Sequence, residues 1–208
     1  DFYAMIFYGL LKKTVPDLHN DLLCGEPGME STLPAREAMG MAQAIRDNAA
    51  LSKLFQDHDD AGVIDELRGG NAAYQALNEW LEVYLDKYGD RCMEELKLET
   101  STLRDDPTFV IATLRNYVRR PDLTPEALSQ REQAIRSVAE KALKPPLGRG
   151  WFVRWILRRT RRHIRERENL RFSRTRVFGL VRRVFRALGG LFVKAGLIDS
   201  GHDVFYLT

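Results

Sequence analysis

RGWFVRWILRRTRRHIRERENLRFSRTRVFGLVRRVFRALGGLFVK, residues 149–194, is the stretch whose reading decides the fold. Val177, Val181, Val184, Leu188 and Phe192 recur at helical spacing on one face, which predicts a long helix over about 150–195. Gly179 and Gly189-Gly190 are the points where it could break. Upstream, Pro145-Pro146-Leu147-Gly148 stops any preceding helix. Thr124-Pro125-Glu126 opens a helix to about residue 143, and Asp106-Pro107 opens another to about residue 120. The same logic predicts a helix over 71–88, where Tyr74, Leu77, Leu81, Tyr84 and Leu85 form a stripe and Gly89 closes it.

Shorter amphipathic segments hold Leu51, Leu54 and Phe55, then Val63, Ile64 and Leu67. A helix capped at Ser31 or Thr32 carries Ala38, Met41, Ala42 and Ile45. Residues 1–13 read as a helix, whereas 17–33 and 90–106 read as loops. Almost nothing reads as a strand. The expectation is an all-α, multi-helix domain of antiparallel helices joined by irregular loops. It occupies 1–208 as a single unit, divisible into subregions 1–144 and 149–208. The chain opens on Asp1 and stops within an apolar run at Thr208, which reads as a fragment of a larger multidomain protein.

Charge is unevenly spread. The net charge is +3, yet residues 149–186 hold 14 arginines and two acids, Glu166 and Glu168, so that segment is +12 and the remainder −9. Three readings compete for this bias. It is a solvated face paired with the acidic remainder. It is a phosphate-binding surface, for which the guanidinium fork is suited. Or it is a basic module for nucleic acid or an anionic membrane surface, using Trp151, Phe152, Trp155 and Ile156. Arginines all round the helix, with no recognition motif, weigh against the third, and neither nucleic acid nor membrane is expected as a partner. Arg167, Arg171 and Arg174 stand at i, i+4 and i+7, beside Glu168. Such a face suits a polyanionic group, with the carboxylate accepting a proton or helping to hold Mg²⁺.

Several chemistries lack their signatures. There is no phosphate-binding glycine loop ending in Lys-Ser or Lys-Thr, no dinucleotide fingerprint and no Gly-x-Ser-x-Gly elbow. His19, His58, His163 and His202 are scattered without metal-ligand spacing, so no metal site is expected. Cys24 and Cys92 read as free thiols of a reducing, cytoplasmic compartment. No run reaches the roughly 18 apolar residues of a membrane span.

Three stretches together carry a resemblance. They are Leu22-Leu23-Cys24-Gly25-Glu26-Pro27-Gly28-Met29-Glu30-Ser31-Thr32; Tyr88-Gly89-Asp90-Arg91 through Leu98, followed by Arg104-Asp105-Asp106-Pro107; and Arg167-Glu168-Asn169-Leu170-Arg171-Phe172, running on to Asp203–Thr208. In this order they resemble the central region of the phosphoenolpyruvate synthase-like, PEP-utilizing family that includes rifampin phosphotransferase. The resemblance covers nearly the whole chain. It implies a three-part machine. An ATP-grasp-type domain binds ATP and Mg²⁺, a swivelling domain carries a phosphohistidine, and a helical domain between them binds a small-molecule acceptor. The β-phosphoryl group of ATP travels on the histidine.

This chain resembles the helical part, so no catalytic residue, ATP or Mg²⁺ is expected within it. The resemblance places acceptor- and phosphate-binding roles on Arg167, Glu168, Arg171 and Arg174, and on Arg91 and Glu95 of the Tyr88-Gly89-x-Arg91 segment. For Arg91 and Glu95 an internal ion pair is the equal alternative. Arg171 stands where the antibiotic kinases carry lysine. Cys92-Met93-Glu94-Glu95-Leu96-Lys97 replaces their Gly-Pro-Gly-Glu-Ile-Asp, so Lys97 reverses a charge and leaves the acceptor open among pyruvate, a rifamycin-like compound and others. A non-catalytic basic module and an inert interdomain spacer are the rival functions.

Overall fold

The structure is a computed structural model that describes residues 2–11, 19–91, 97–143 and 150–207. Among these it is all-α and holds no strand. In chain order the helices are α1 (Phe2–Leu11), α2 (His19–Leu23), α3 (Leu33–Asp47), α4 (Ala49–Asp57), α5 (Asp60–Arg68), α6 (Gln75–Tyr88), α7 (Thr108–Val118), α8 (Pro125–Ala142) and α9 (Gly150–Lys194). Short 3-10 turns stand at Glu30–Thr32, Ala72–Tyr74 and Gly201–Tyr206. No helix among the described residues is long and apolar enough to cross a membrane.

The chain forms two compact units, and each is assembled from segments distant in sequence. The first comprises Asp1–Arg36 with Asp122–Leu170, the second Glu37–Pro121 with Arg171–Thr208. Two of the three boundaries fall inside α3 and α9 and the third between α7 and α8, whereas the Pro145-Pro146 break lies, by number, within the first unit.

In the first unit α2 packs along α8. Phe7, Leu22, Ala139, Ile156 and Leu157 make its core, flanked by Tyr3, Ile6 and Phe152. Each such buried aliphatic or aromatic side chain contributes about 1.5–3 kcal/mol relative to exposure. The stretch 17–33, expected as loop, contains α2. Its five residues are too few to show periodicity, and the complete burial of Leu22 against α8 and α9 accounts for the turn. Thr124 starts α8 by accepting the Ala127 N–H at 3.1 Å, and Pro125 takes the first helical position, where its missing N–H has no partner to lose.

In the second unit α4, α5, α6 and α7 surround a core that includes Leu54, Val63, Leu77, Leu81, Ile111 and Leu114. Asn48 opens α4, its side chain accepting the Ala50 and Leu51 N–H groups at 3.0 and 3.1 Å. Asp59 does the same for α5 through Gly62 at 2.8 Å. Asp106 accepts the Thr108 N–H at 3.0 Å, so α7 begins after Pro107 rather than on it. Arg115 ties α7 to the α4–α5 turn, pairing with Asp60 at 2.7 Å and donating to the carbonyls of Phe55 and His58.

The long helix runs where periodicity places it, unbroken at its glycines. The face bearing Val177, Val184 and Leu188, however, is an exposed one. The face that α9 buries in the second unit carries Phe172, Thr175, Gly179, Arg182 and Gly189.

Candidate functional site

The first motif forms a loop, residues 24–32, gripped by α8 and α9 of the first unit. Gly25 and Gly28 have φ of +62° and +81°, a left-handed backbone that glycine adopts without steric cost. A side chain at Gly25 would also meet Glu132 Cβ at 2.8 Å. From α8, Arg136 Nη1 donates to the Gly25 carbonyl and to Glu26 Oε2, both at 3.4 Å. From α9, Arg165 stands 3.6 Å from Glu26 Oε1. Asn169 completes the grip by using both ends of its amide: Nδ2 donates to the Gly28 carbonyl, and Oδ1 accepts the Glu30 N–H, each at 2.9 Å. One side chain thereby satisfies two backbone groups of a turn that has no ladder of its own.

The loop walls a cavity of about 320 Å³, closed by Leu33, Arg36, Ser129, Glu132 and Gln133. Arg36 is locked there, donating to Ser129 Oγ at 2.5 Å and to Glu132 Oε2 at 2.8 Å.

Arg167 and Glu168 directly precede Asn169 on α9. Arg167 donates from Nε and Nη2 to Glu168 Oε1 at 3.3 and 3.0 Å, and the Glu168 side chain is 21% exposed. An exposed guanidinium beside a mostly covered carboxylate can hold an anionic oxygen and accept a proton, respectively. Arg171 and Arg174, both exposed, lie on the part of α9 that belongs to the second unit. Glu95 lies outside the described residues, and so does its suggested ion pair with Arg91.

Arg91 sits in the second unit in an aromatic setting. Its guanidinium lies 5.8 Å from the centre of the Phe172 ring, and that of Arg176 lies 5.0 Å from it. Tyr84, Tyr88 and Phe172 continue as an edge-to-face series at 5.0 and 6.1 Å. Tyr88 donates its hydroxyl to Glu37 Oε1 at 2.8 Å. Burial, then that bond to a carboxylate, pushes the Tyr88 phenol well above its ordinary range. Burial pushes Tyr84 up to about 12. Both phenols therefore stay neutral and act as donors or packing surfaces. The rest of the second motif also docks on α9 within this unit: Asp90 pairs with Arg183 at 3.7 Å, and Asp105 with Arg186.

The sequence motifs contain Asn169 and Glu26 without giving either a role, and they leave out Arg136 and Arg165. The pairing that defines Asn169 spans 139 and 141 residues of chain, beyond any local spacing rule. Its position inside Arg-Glu-Asn-Leu-Arg-Phe was the available signal. Among the described residues no three His, Cys, Asp or Glu side chains gather as a metal site.

Residues 2–168 match the family described as the rifampicin phosphotransferase fourth domain. A rifampicin phosphotransferase of a Streptomyces sp is 26% identical over 185 residues, 83% of this chain and 21% of that protein. Another, from Streptomyces sviceus, is 24% identical over 200 residues, 90% of this chain and 22% of that protein. The chain thus spans about a fifth of the length of the curated relatives it matches. With four-fifths of its residues covered by the family match, this chain belongs to the rifampicin phosphotransferase fourth-domain family.

Proposed function

We propose that this chain is the acceptor-binding helical part of a larger ATP-dependent phosphotransferase. In that enzyme the β-phosphoryl group of ATP reaches a small-molecule hydroxyl through a phosphohistidine on a separate swivelling domain. ATP and Mg²⁺ belong to another part of the polypeptide. Mg²⁺ would supply charge neutralisation on the nucleotide phosphates there. This chain's own contribution is orientation and charge. Arg167 balances the charge of the incoming phosphoryl oxygens, and Glu168 accepts the proton of the acceptor hydroxyl.

The observation that carries the reading is the Asn169 clasp. It joins Gly28 and Glu30 of the first motif to α9 at Asn169, the residue that follows the Arg167–Glu168 pair. The first and third motifs thus meet at Asn169. Membership in a phosphotransferase family adds independent support. The name of the relatives makes a rifamycin the first acceptor to try, with Lys97 as the reason to try others. The rival reading as a nucleic-acid or membrane-binding module is disfavoured. Arg161, Arg162, Arg165, Arg167, Arg183 and Arg186 each face a carboxylate of their own unit.

The test uses the complete polypeptide with Mg²⁺ and ATP labelled at the β-phosphate. Acid-labile, base-stable label on the protein is expected. Arg167→Ala and Glu168→Ala should keep that label while losing roughly a hundredfold or more in transfer to the acceptor. Normal turnover in both variants would remove the pair from the site, and absence of label in the folded wild type would remove the phosphohistidine route.

A further inference from the structure

A second cavity in the first unit, of about 520 Å³, lies where the end of α8 meets the start of α9. We propose that it binds an organic phosphate, meaning a phosphomonoester head carried on an apolar body. Five bases and two acids line it. The acids are already committed. Glu140 accepts from Arg161 Nη2 at 2.8 Å and from Arg136 Nε at 3.3 Å, and Glu26 pairs with Arg136 at 3.4 Å. Arg161, only 9% exposed, is further pinned by the Leu22 carbonyl at 2.8 and 2.5 Å. That network is a closed, largely neutral wall.

Lys141, Arg154 and Arg158 remain. Each is exposed, and none has a hydrogen-bond or ion-pair partner among the described residues. Arg154 and Arg158 are one turn apart on α9, a like-charge arrangement that destabilises a helix unless an anion bridges it. Three cations without a partner among the described residues, around one concavity, suit the roughly two negative charges of a phosphomonoester. Two guanidinium forks suit its oxygens in a way that point charges do not. The remaining lining is Ser137 and two leucines: Leu157 is buried, and Leu143 is half-buried. A bare inorganic anion leaves that surface wet, whereas an aryl or alkyl ester covers it. The volume lies within the roughly 300–1,000 Å³ range of small-molecule sites. Lys141, Arg154 and Arg158 take no part in the Arg167–Glu168 site or in the grip on the first motif, so the inference stands or falls separately.

The probe is 1-naphthyl phosphate, titrated calorimetrically into the complete protein at physiological salt. Inorganic phosphate, 1-naphthol and 1-naphthoate serve as comparators. The expected result is saturable binding of naphthyl phosphate, at least tenfold tighter than inorganic phosphate or naphthoate, with no measurable binding of naphthol. Arg154→Gln/Arg158→Gln should weaken it tenfold or more and Lys141→Gln about threefold. Arg162→Gln, an exposed residue of the same helix already paired with Glu166, should leave it unchanged. A readout independent of the ligand accompanies these. Each of Arg154→Gln and Arg158→Gln should raise Tm slightly in ligand-free buffer, because it relieves repulsion.

Equal binding by the double variant, or naphthol binding as well as the ester, overturns the proposal. Affinity that follows salt alone, with no preference for the ester, also overturns it, since that describes a general basic surface. Tighter binding of naphthoate would reassign the head group to a carboxylate and overturn the phosphate claim.

Discussion

The two halves of α9 differ in how much aliphatic side chain they bury. In the first unit the covered positions are Val153, Ile156 and Leu157, followed by Thr160 and Arg161. In the second they are Phe172, Thr175, Gly179, Arg182 and Gly189, while Val177, Leu180 and Val184 stand 59%, 56% and 51% exposed. The same helix, with the same period, thus turns its aliphatic side inward in one place and outward in the other. The difference lies in what approaches it. Side chains of α1 and α8 meet the first half, and they reward volume. Backbone and short polar groups meet the second half. Asp90 would lie 2.2 Å from a Cβ at Gly179, and the Gly201 carbonyl 2.1 Å from one at Gly189. Arg182, 1% exposed, serves there as a donor to the carbonyls of Lys97 and Leu98 at 2.7 and 2.9 Å. Close approach selects small residues, and a carbonyl-rich surface selects a donor.

The sharpest way to break this comparison is at adjacent glycines. Gly189→Val should cost about 3 kcal/mol, because the obstructing atom at Gly201 is backbone and cannot rotate away. Gly190→Ala, with nothing within 4 Å, should instead stabilise by up to about 1 kcal/mol through helix propensity. Chemical denaturation of the two variants reads both signs, and equal behaviour would mean that α9 is not held against residue 201. Next in size, Arg182→Leu should cost about 2 kcal/mol despite raising the apolar content of a buried position, since two carbonyls lose a charged donor. A neutral or stabilising result would show that the second half of α9 accepts an ordinary apolar face.

The smallest effect is on pH dependence. Burial works to raise the Asp105 carboxyl, but hydrogen bonds from Arg186 and Thr102 outweigh it and hold the group below the usual carboxylate range. A folded value below the unfolded one, about 3.9, gives stability that is complete above that pH. It is lost as pH falls through the lower folded value. Asp105→Asn should therefore flatten the acid limb of the stability curve below about pH 4, measured by thermal melting, and leave its shape at pH 7–9 unchanged. An unaltered acid limb would place the Arg186 contact outside the energetics of the unit.

Much of the secondary structure was legible because it is written locally. The expected helix over about 150–195 is Gly150–Lys194, and Thr124 caps where its residue type says it should, whereas Asp106 stands one residue before the cap of its helix, Pro107. Asn48 ends the run that carries Ala38 and Ile45 and caps the next helix, so the stop and the start are one signal. Two things escaped local reading. α2 exists because Leu22 finds a core, and His-Asn-Asp-Leu-Leu alone carries too little pattern to announce it. Asn169 acts across some 140 residues, and an asparagine on a helix has many commoner uses.

The sequence by itself determined the all-α class, the extents of the long helices and, through three ordered motifs, the family. These rest on hydrophobic period, capping chemistry and residue identity, all of which act over a few residues. Only the tertiary structure decided which face of α9 is covered, how the chain divides into two discontinuous units, and which side chain joins the first motif to the third. Those outcomes depend on which distant backbone comes close enough to exclude a side chain or demand a donor, and the spacing of residues along one helix carries no record of that approach.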